Sequence, residues 1–283
     1  MSRDLVVATM VLVLCGGAAW LASWIPARRA AARNDVSARE IERRLWRRLW
    51  LPLLPSALAL ATMLGWRLQE PSVTDEPLRL VAALVALPLG LVWMRALARA
   101  CVALARPHQM PPIATVGVFR PRIVCSEDLS DTLDPQALAA AVAHERAHVR
   151  RRDPLRIWLA QLATDLQGLG PFARRRLKAW MDSVEIARDE EARVEGISGD
   201  DLAAAVVAVA KMAQPATGAI ACLTGTEASL AARVSRLLQP LPAHHRRRAV
   251  AIPLTIVAAV ALGVGVGFTC GDSILRALPF IGS

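Results

Sequence analysis

The chain has 283 residues, 54% of them hydrophobic and 20% charged, with a mean hydropathy of +0.37, a composition that excludes disorder and is unlike that of an ordinary water-soluble domain. Lys and Arg number 34 against 24 Asp and Glu, for a net charge of +10, and tyrosine is absent, which argues against single-strand nucleic-acid binding on stacked aromatics and against any mechanism needing a tyrosine hydroxyl. The five cysteines form no CxxC and no regular spacing, so they read as small apolar fillers rather than as a disulfide framework or a Cys-rich zinc site.

Leu5 to Ile25 is a run of 21 residues without a charge, long enough at about 1.5 Å per residue to cross a hydrocarbon core of about 30 Å. It predicts a first transmembrane helix that stays in the mature protein, because an arginine-dense flank follows it as a stop-transfer signal does. Within that flank Ile41, Leu45 and Leu49 recur every four residues among arginines and Trp46, the pattern of a helix lying on an anionic leaflet. Leu51 to Trp66 and Leu80 to Met94 predict a second and a third span, the third kinked at Pro88 and continuing as a helix to about Ala105. Ala249 to Cys270 predicts a fourth, with Gly263, Gly265 and Gly267 for close helix packing.

Arginines crowd the loop after the first run (Arg28, Arg29, Arg33, Arg39, Arg43, Arg44, Arg47, Arg48) and precede the fourth (Arg246 to Arg248). The positive-inside rule then places both loops, and the segment from about Arg95 to Arg248, in the cytoplasm. That arrangement accounts for the net charge through a lipid bilayer, with no direct nucleic-acid partner.

The long polar segment opens with two β-prone runs, Ile113 to Val118 and Arg122 to Cys125, which predict a small hairpin or ribbon. Asp134 before Pro135 predicts an N-cap and first helical residue, with an Ala-rich helix to about Arg152, and Asp153 before Pro154 repeats the signal. After a break at Gly168 to Pro171 a third helix runs to about Gly196, and Asp200 to Gln214 and Thr226 to Leu238 predict two more.

His144-Glu145-Arg146-Ala147-His148 lies in the first of these helices. Imidazoles at i and i+4 project from one face and can share one Zn²⁺, while the glutamate between them reaches the water position. Three protein ligands are needed, and with no cysteine nearby the third is a carboxylate or another histidine. His108 lies apart, and His244 and His245 adjoin an arginine run. Glu185 and Asp189 share a helical face at i and i+4, so one suits the metal and the other a hydrogen bond from a ligating imidazole. A surface acidic cluster with Glu190 and Glu191, paired to Arg188 and Arg193, fits the spacing equally well.

Three segments together, Phe119 to Val124, Ala143 to Leu155 and Glu185 to Asp189, with Ser229 to Leu238 less specifically, resemble the membrane-bound zinc peptidases typified by the BlaR/MecR antibiotic sensors, the M56 peptidases. The resemblance spans roughly positions 80 to 270. It implies His144, His148 and Glu185 as zinc ligands, Glu145 as general base and Asp189 as the partner of a ligand histidine. Two features depart from the family pattern: Arg188 stands where a cysteine is common, and Gly170-Pro171-Phe172 replaces an aromatic-Asn/His-Pro signal. Only Gly271 to Ser283 follow the fourth run, so no penicillin-binding sensor domain and no β-lactam receptor role are expected.

The sequence therefore predicts a mainly α, polytopic protein of the inner (cytoplasmic) membrane with four transmembrane helices and a helical, zincin-like domain containing a small β element. Residues 1–106 form the membrane region, 107–248 the cytoplasmic zinc peptidase domain, and 249–283 the last span and tail. Its expected work is zinc-dependent cleavage of a cytoplasmic or membrane-associated regulatory protein, such as a transcriptional repressor, in signal transduction. The alternatives are a non-catalytic signalling scaffold with a structural zinc site, and a housekeeping membrane peptidase of the HtpX or CAAX-processing type.

Overall fold

The computed structural model describes residues 37–53, 91–92, 94–104, 111–167, 171–212 and 227–241. Helix α1 (Ala38–Trp50) leads into a short 3₁₀ turn (Leu51–Leu53), and residues 94–104 are helical. Strands β1 (Ile113–Val116) and β2 (Arg122–Cys125) follow, then helices α2 (Glu127–Thr132), α3 (Pro135–Arg151), α4 (Asp153–Leu166), α5 (Pro171–Val194), α6 (Gly199–Met212) and α7 (Glu227–Leu237). The strands pair antiparallel, Ile113 opposite Cys125 and Val116 opposite Arg122, and Gly117 turns between them with φ +97°.

Local chemistry sets the helix boundaries near the site. Asp134 caps α3 by accepting from Gln136 N at 3.0 Å, and Pro135 needs no donor in the first turn. The helix stops at Arg152, whose φ of 51° and ψ of 44° are left-handed, and Asp153-Pro154 restarts it in a new direction. That reversal swings Asp153 back beside the last turn of α3.

Helix α3 is the centre of the body because most of its buried positions are alanines, which let neighbours approach on two sides. Ala140 and Ala143 meet Ala192, Leu202, Ala203 and Leu237, while Ala137 and Ala141 meet Ile113, Leu129 and Ala205. Gly199 allows α6 to start against the end of α7, since a Cβ there would lie 2.2 Å from the Leu237 carbonyl oxygen. Ile41, Leu45 and Leu49 of α1 pack on Ala160, Trp180 and Val184, each such burial being worth about 1.5–3 kcal/mol.

Two expectations are corrected here. No helix among the described residues is long and apolar enough to cross a membrane, so a fold class of four transmembrane helices and a multi-pass inner-membrane location are not upheld. The longest helix among the described residues, α5, carries Arg174, Arg175, Arg176 and Lys178 in its first turns. Among the described residues the architecture is instead mostly helical with one two-stranded sheet. The apolar runs 5–25 and 249–270, and most of 51–66 and 80–94, lie outside the described residues. Nor does α1 offer its apolar stripe to lipid, because α4 and α5 cover it.

Candidate metal centre

Five of the residues singled out by spacing come together where α3 faces α5. His144 and His148 stand one turn apart with ring centroids 4.8 Å from each other, 8% and 7% exposed. Their Nε2 atoms are 3.1 Å apart. Glu185 of α5 reaches both, Oε2 lying 3.4 Å from His144 Nε2 and Oε1 3.7 Å from His148 Nε2. Metal–ligand bonds of about 2.0–2.2 Å at tetrahedral angles separate neighbouring ligand atoms by about 3.3–3.5 Å, so the observed separations bracket what one zinc ion requires. The three donors fit that ion.

Each imidazole is backed by an aspartate on its far nitrogen. His148 Nδ1 pairs with Asp153 Oδ2 at 2.9 Å, and Asp153 is fully buried. His144 Nδ1 lies 2.8 Å from Asp189 Oδ1 but off line, so that it forms no hydrogen bond of proper angle. With its Nδ1–H directed at a carboxylate, a neutral imidazole presents Nε2 as a lone pair. Two imidazole nitrogens and a carboxylate converging on one point form a place for a positive charge, either a metal ion or a proton.

The electrostatics agree. Burial works against protonating His144, but Asp189 and Glu185 outweigh it and push its pKa up to about 10. Desolvation likewise opposes ionising Asp189, yet Arg233 and His144 bring it down to about 2. Asp153 also resists burial and falls to about 2 through His148 and Arg188. Glu185 is held well below the usual carboxylate range, against desolvation, by Arg233 and the two histidines.

Glu145 forms with His144 and His148 a second set able to hold a metal ion, its ligand atom within 4.8 Å of those of both histidines. Its Oε2 accepts a 2.6 Å hydrogen bond from the Thr115 hydroxyl of β1. One carboxylate therefore faces the imidazole nitrogens from α5, while the other is tethered toward the hairpin. Asp189 is only 3% exposed and Glu190 5%, and Glu190 accepts from Arg236 at 2.7 Å and from the Ala38 backbone N–H at 2.8 Å, so the acidic stretch of α5 is no solvated surface cluster. His108, His244 and His245 lie outside the described residues.

Sequence reasoning missed three participants. Arg233 of α7 donates to both oxygens of Asp189 at 2.9 Å and pairs with Glu185 Oε2 at 3.1 Å. Asp153 had been assigned only a capping role, although it stands five positions after His148 beside a helix break. Arg188, fully buried, grips Asp153 through Nε and Nη2. The first and third of these carry no local signal, since their partners are remote in the chain.

A family model described as BlaR1 peptidase M56 matches residues 101–236. No curated protein and no solved structure matches the chain.

Proposed function

From the match of residues 101–236 to the BlaR1 peptidase M56 family model, we propose that this chain is a zinc-dependent endopeptidase acting on a regulatory protein. The convergence of His144 Nε2, His148 Nε2 and the Glu185 carboxylate within 3.1–3.7 Å carries the reading. Zinc bound there supplies Lewis-acid polarisation of a water molecule and of the scissile carbonyl.

The protein's own groups do the rest. Asp153 and Asp189 keep the imidazoles turned with Nε2 forward, and Arg233 fixes the Glu185 carboxylate. Glu145 accepts a proton as water attacks the carbonyl carbon, and returns it to the amine nitrogen as the C–N bond breaks. Thr115 holds that base from β1. One edge of β1 is not used by β2, which suits an extended substrate backbone added as a further strand. A cleavable protein such as a transcriptional repressor is the substrate class that the family resemblance implies. A base beside the ligands has no use in a purely structural zinc site, so the scaffold reading is not favoured.

The test compares the intact chain with Glu145→Gln. Both should retain zinc, and only the intact chain should generate new protein N-termini when the two are expressed in otherwise identical cells, the variant's rate falling about 10²- to 10⁴-fold. Equal cleavage by the variant would remove Glu145 from the mechanism.

A further inference from the structure

The ion cluster behind His148 extends to a residue well outside the family-matched segment. Asp153 receives four contacts: His148 Nδ1 at 2.9 Å and Arg188 Nε on Oδ2, and Arg188 Nη2 at 3.1 Å and Arg156 Nη1 at 2.8 Å on Oδ1. Both guanidiniums then meet Glu42 of α1, whose Oε1 lies 3.0 Å from Arg188 Nη2 and 2.6 Å from Arg156 Nη1. Glu42 is 3% exposed and Arg188 fully buried. Helix α1 is seated by Ile41, Leu45 and Leu49 and by Trp46 against Trp180, with centroids 4.9 Å apart.

The charges of this cluster compete for one carboxylate. Asp153 orients His148 by accepting a hydrogen bond from Nδ1–H, and every cation on the same oxygens draws density away from that bond. With Glu42 in place, Asp153 and Glu42 face Arg188 and Arg156, while Arg188 also reaches Glu191 Oε1 at 2.8 Å. Without Glu42, Arg156 is left with Asp153, and Arg188 with Asp153 and a Glu191 already shared with Arg151 and Arg39, so more positive charge bears on Asp153 behind a site built for a cation, where the low dielectric makes it costly.

We propose that Glu42 is a positioning residue of the metal centre, acting on His148 through Arg188, Arg156 and Asp153, so that docking of α1 completes the site. The proposal rests on the reading that His144, His148 and Glu185 hold zinc. It assigns a role to Arg188, the residue that departs from the family pattern, and to a helix that the matched segment does not contain.

Zinc affinity of the full chain, measured by competition with a chromophoric chelator, tests it. Glu42→Gln should lower affinity about 10-fold, in the range seen when partners of ligand histidines are removed. Adding Arg156→Gln removes one charge of the opposite sign and should return affinity to within about 3-fold of the intact chain. A merely structural Glu42 would shift the unfolding temperature but leave the affinity of the folded protein alone. Unchanged affinity in Glu42→Gln, or no recovery in the double variant, overturns the proposal. If Glu42→Gln does not fold, Arg156→Gln alone should raise affinity about 2- to 3-fold, and an unchanged or lower value overturns it. Should the intact chain bind no zinc, the reading of the site falls, and the link is then judged from the His148 ¹⁵N shifts of the metal-free chain. Arg156→Gln, or Glu42→Gln where it folds, must move those shifts, and their constancy sinks the idea.

Discussion

Behind His148 stands Asp153, five residues further along the chain, and behind His144 stands Asp189, which belongs to another helix. Each aspartate is gripped in turn by an arginine using two nitrogens, Arg188 on Asp153 and Arg233 on Asp189. The two halves apply the same physics with different parts. The His148 half is closed by the left-handed turn at Arg152 and by α1, the His144 half by α5 and α7. They also differ in quality: His148 has a formed hydrogen bond, whereas His144 has a charge contact without proper angle but the closer approach to Glu185. His148 is fixed mainly by hydrogen-bond direction, and His144 mainly by charge.

The harshest test of that comparison removes the histidines themselves. His144→Ala and His148→Ala should each abolish stoichiometric zinc and reduce proteolysis to background, because a site with one imidazole and one carboxylate lacks the third ligand a catalytic zinc requires. Metal analysis of the purified variants checks this. If either variant keeps a full equivalent of zinc, the two halves are not parts of one centre.

Removing the supporting carboxylates separates the halves. Asp153→Asn and Asp189→Asn should each weaken zinc affinity about 10- to 100-fold, with Asp153→Asn the more damaging because it strips the charge from a formed hydrogen bond and leaves the buried Arg188 without its main counter-charge. Chelator competition gives the ranking. The reverse order would mean that charge, not hydrogen-bond direction, dominates in both halves.

How much of this was legible in the sequence follows the same division. The i, i+4 spacings placed His144 with His148, and Glu185 with Asp189, on single helical faces, because such pairs are fixed by helix geometry alone. What those faces meet is tertiary information. Asp153 was visible as a helix start, but its approach to His148 depends on the φ of +51° at Arg152, which no spacing encodes. Glu42, Arg188 and Arg233 are invisible as site residues because their remote partners are set by the fold, and the arginine-dense stretch around Glu42 reads in sequence as a membrane flank. Arg44 pairs with Glu40, and Arg39 with Glu191, so positive charge at these positions serves contacts within the protein. The hairpin and the α3 start were readable because Gly, Pro and Asp carry local conformational signals.

A smaller effect is expected at Arg233. Lysine keeps the charge but cannot span both carboxylates as the planar fork does, so Arg233→Lys should lower zinc affinity about 3- to 10-fold, the loss of one or two charge-assisted bonds at a partly compensated site. Binding measurements on the folded variant check it. Full affinity with lysine would reduce the role of Arg233 to its charge.

The mildest substitution bears on which glutamate is ligand and which is base. Thr115→Val preserves shape while deleting the hydroxyl that donates to Glu145 Oε2 at 2.6 Å. If Glu145 is the base, the loss leaves its carboxylate free to rotate, and kcat/KM should fall about 2- to 5-fold while zinc affinity stays unchanged, since positioning is lost without any change in the ligands. If Glu145 instead takes the third ligand position, the untethered side chain would alter metal affinity, because the bond to Thr115 competes with the metal for the same oxygen. The two glutamates are thus distinguished by which constant moves. A change in affinity without a change in rate would exchange their roles and leave Glu185 to Arg233.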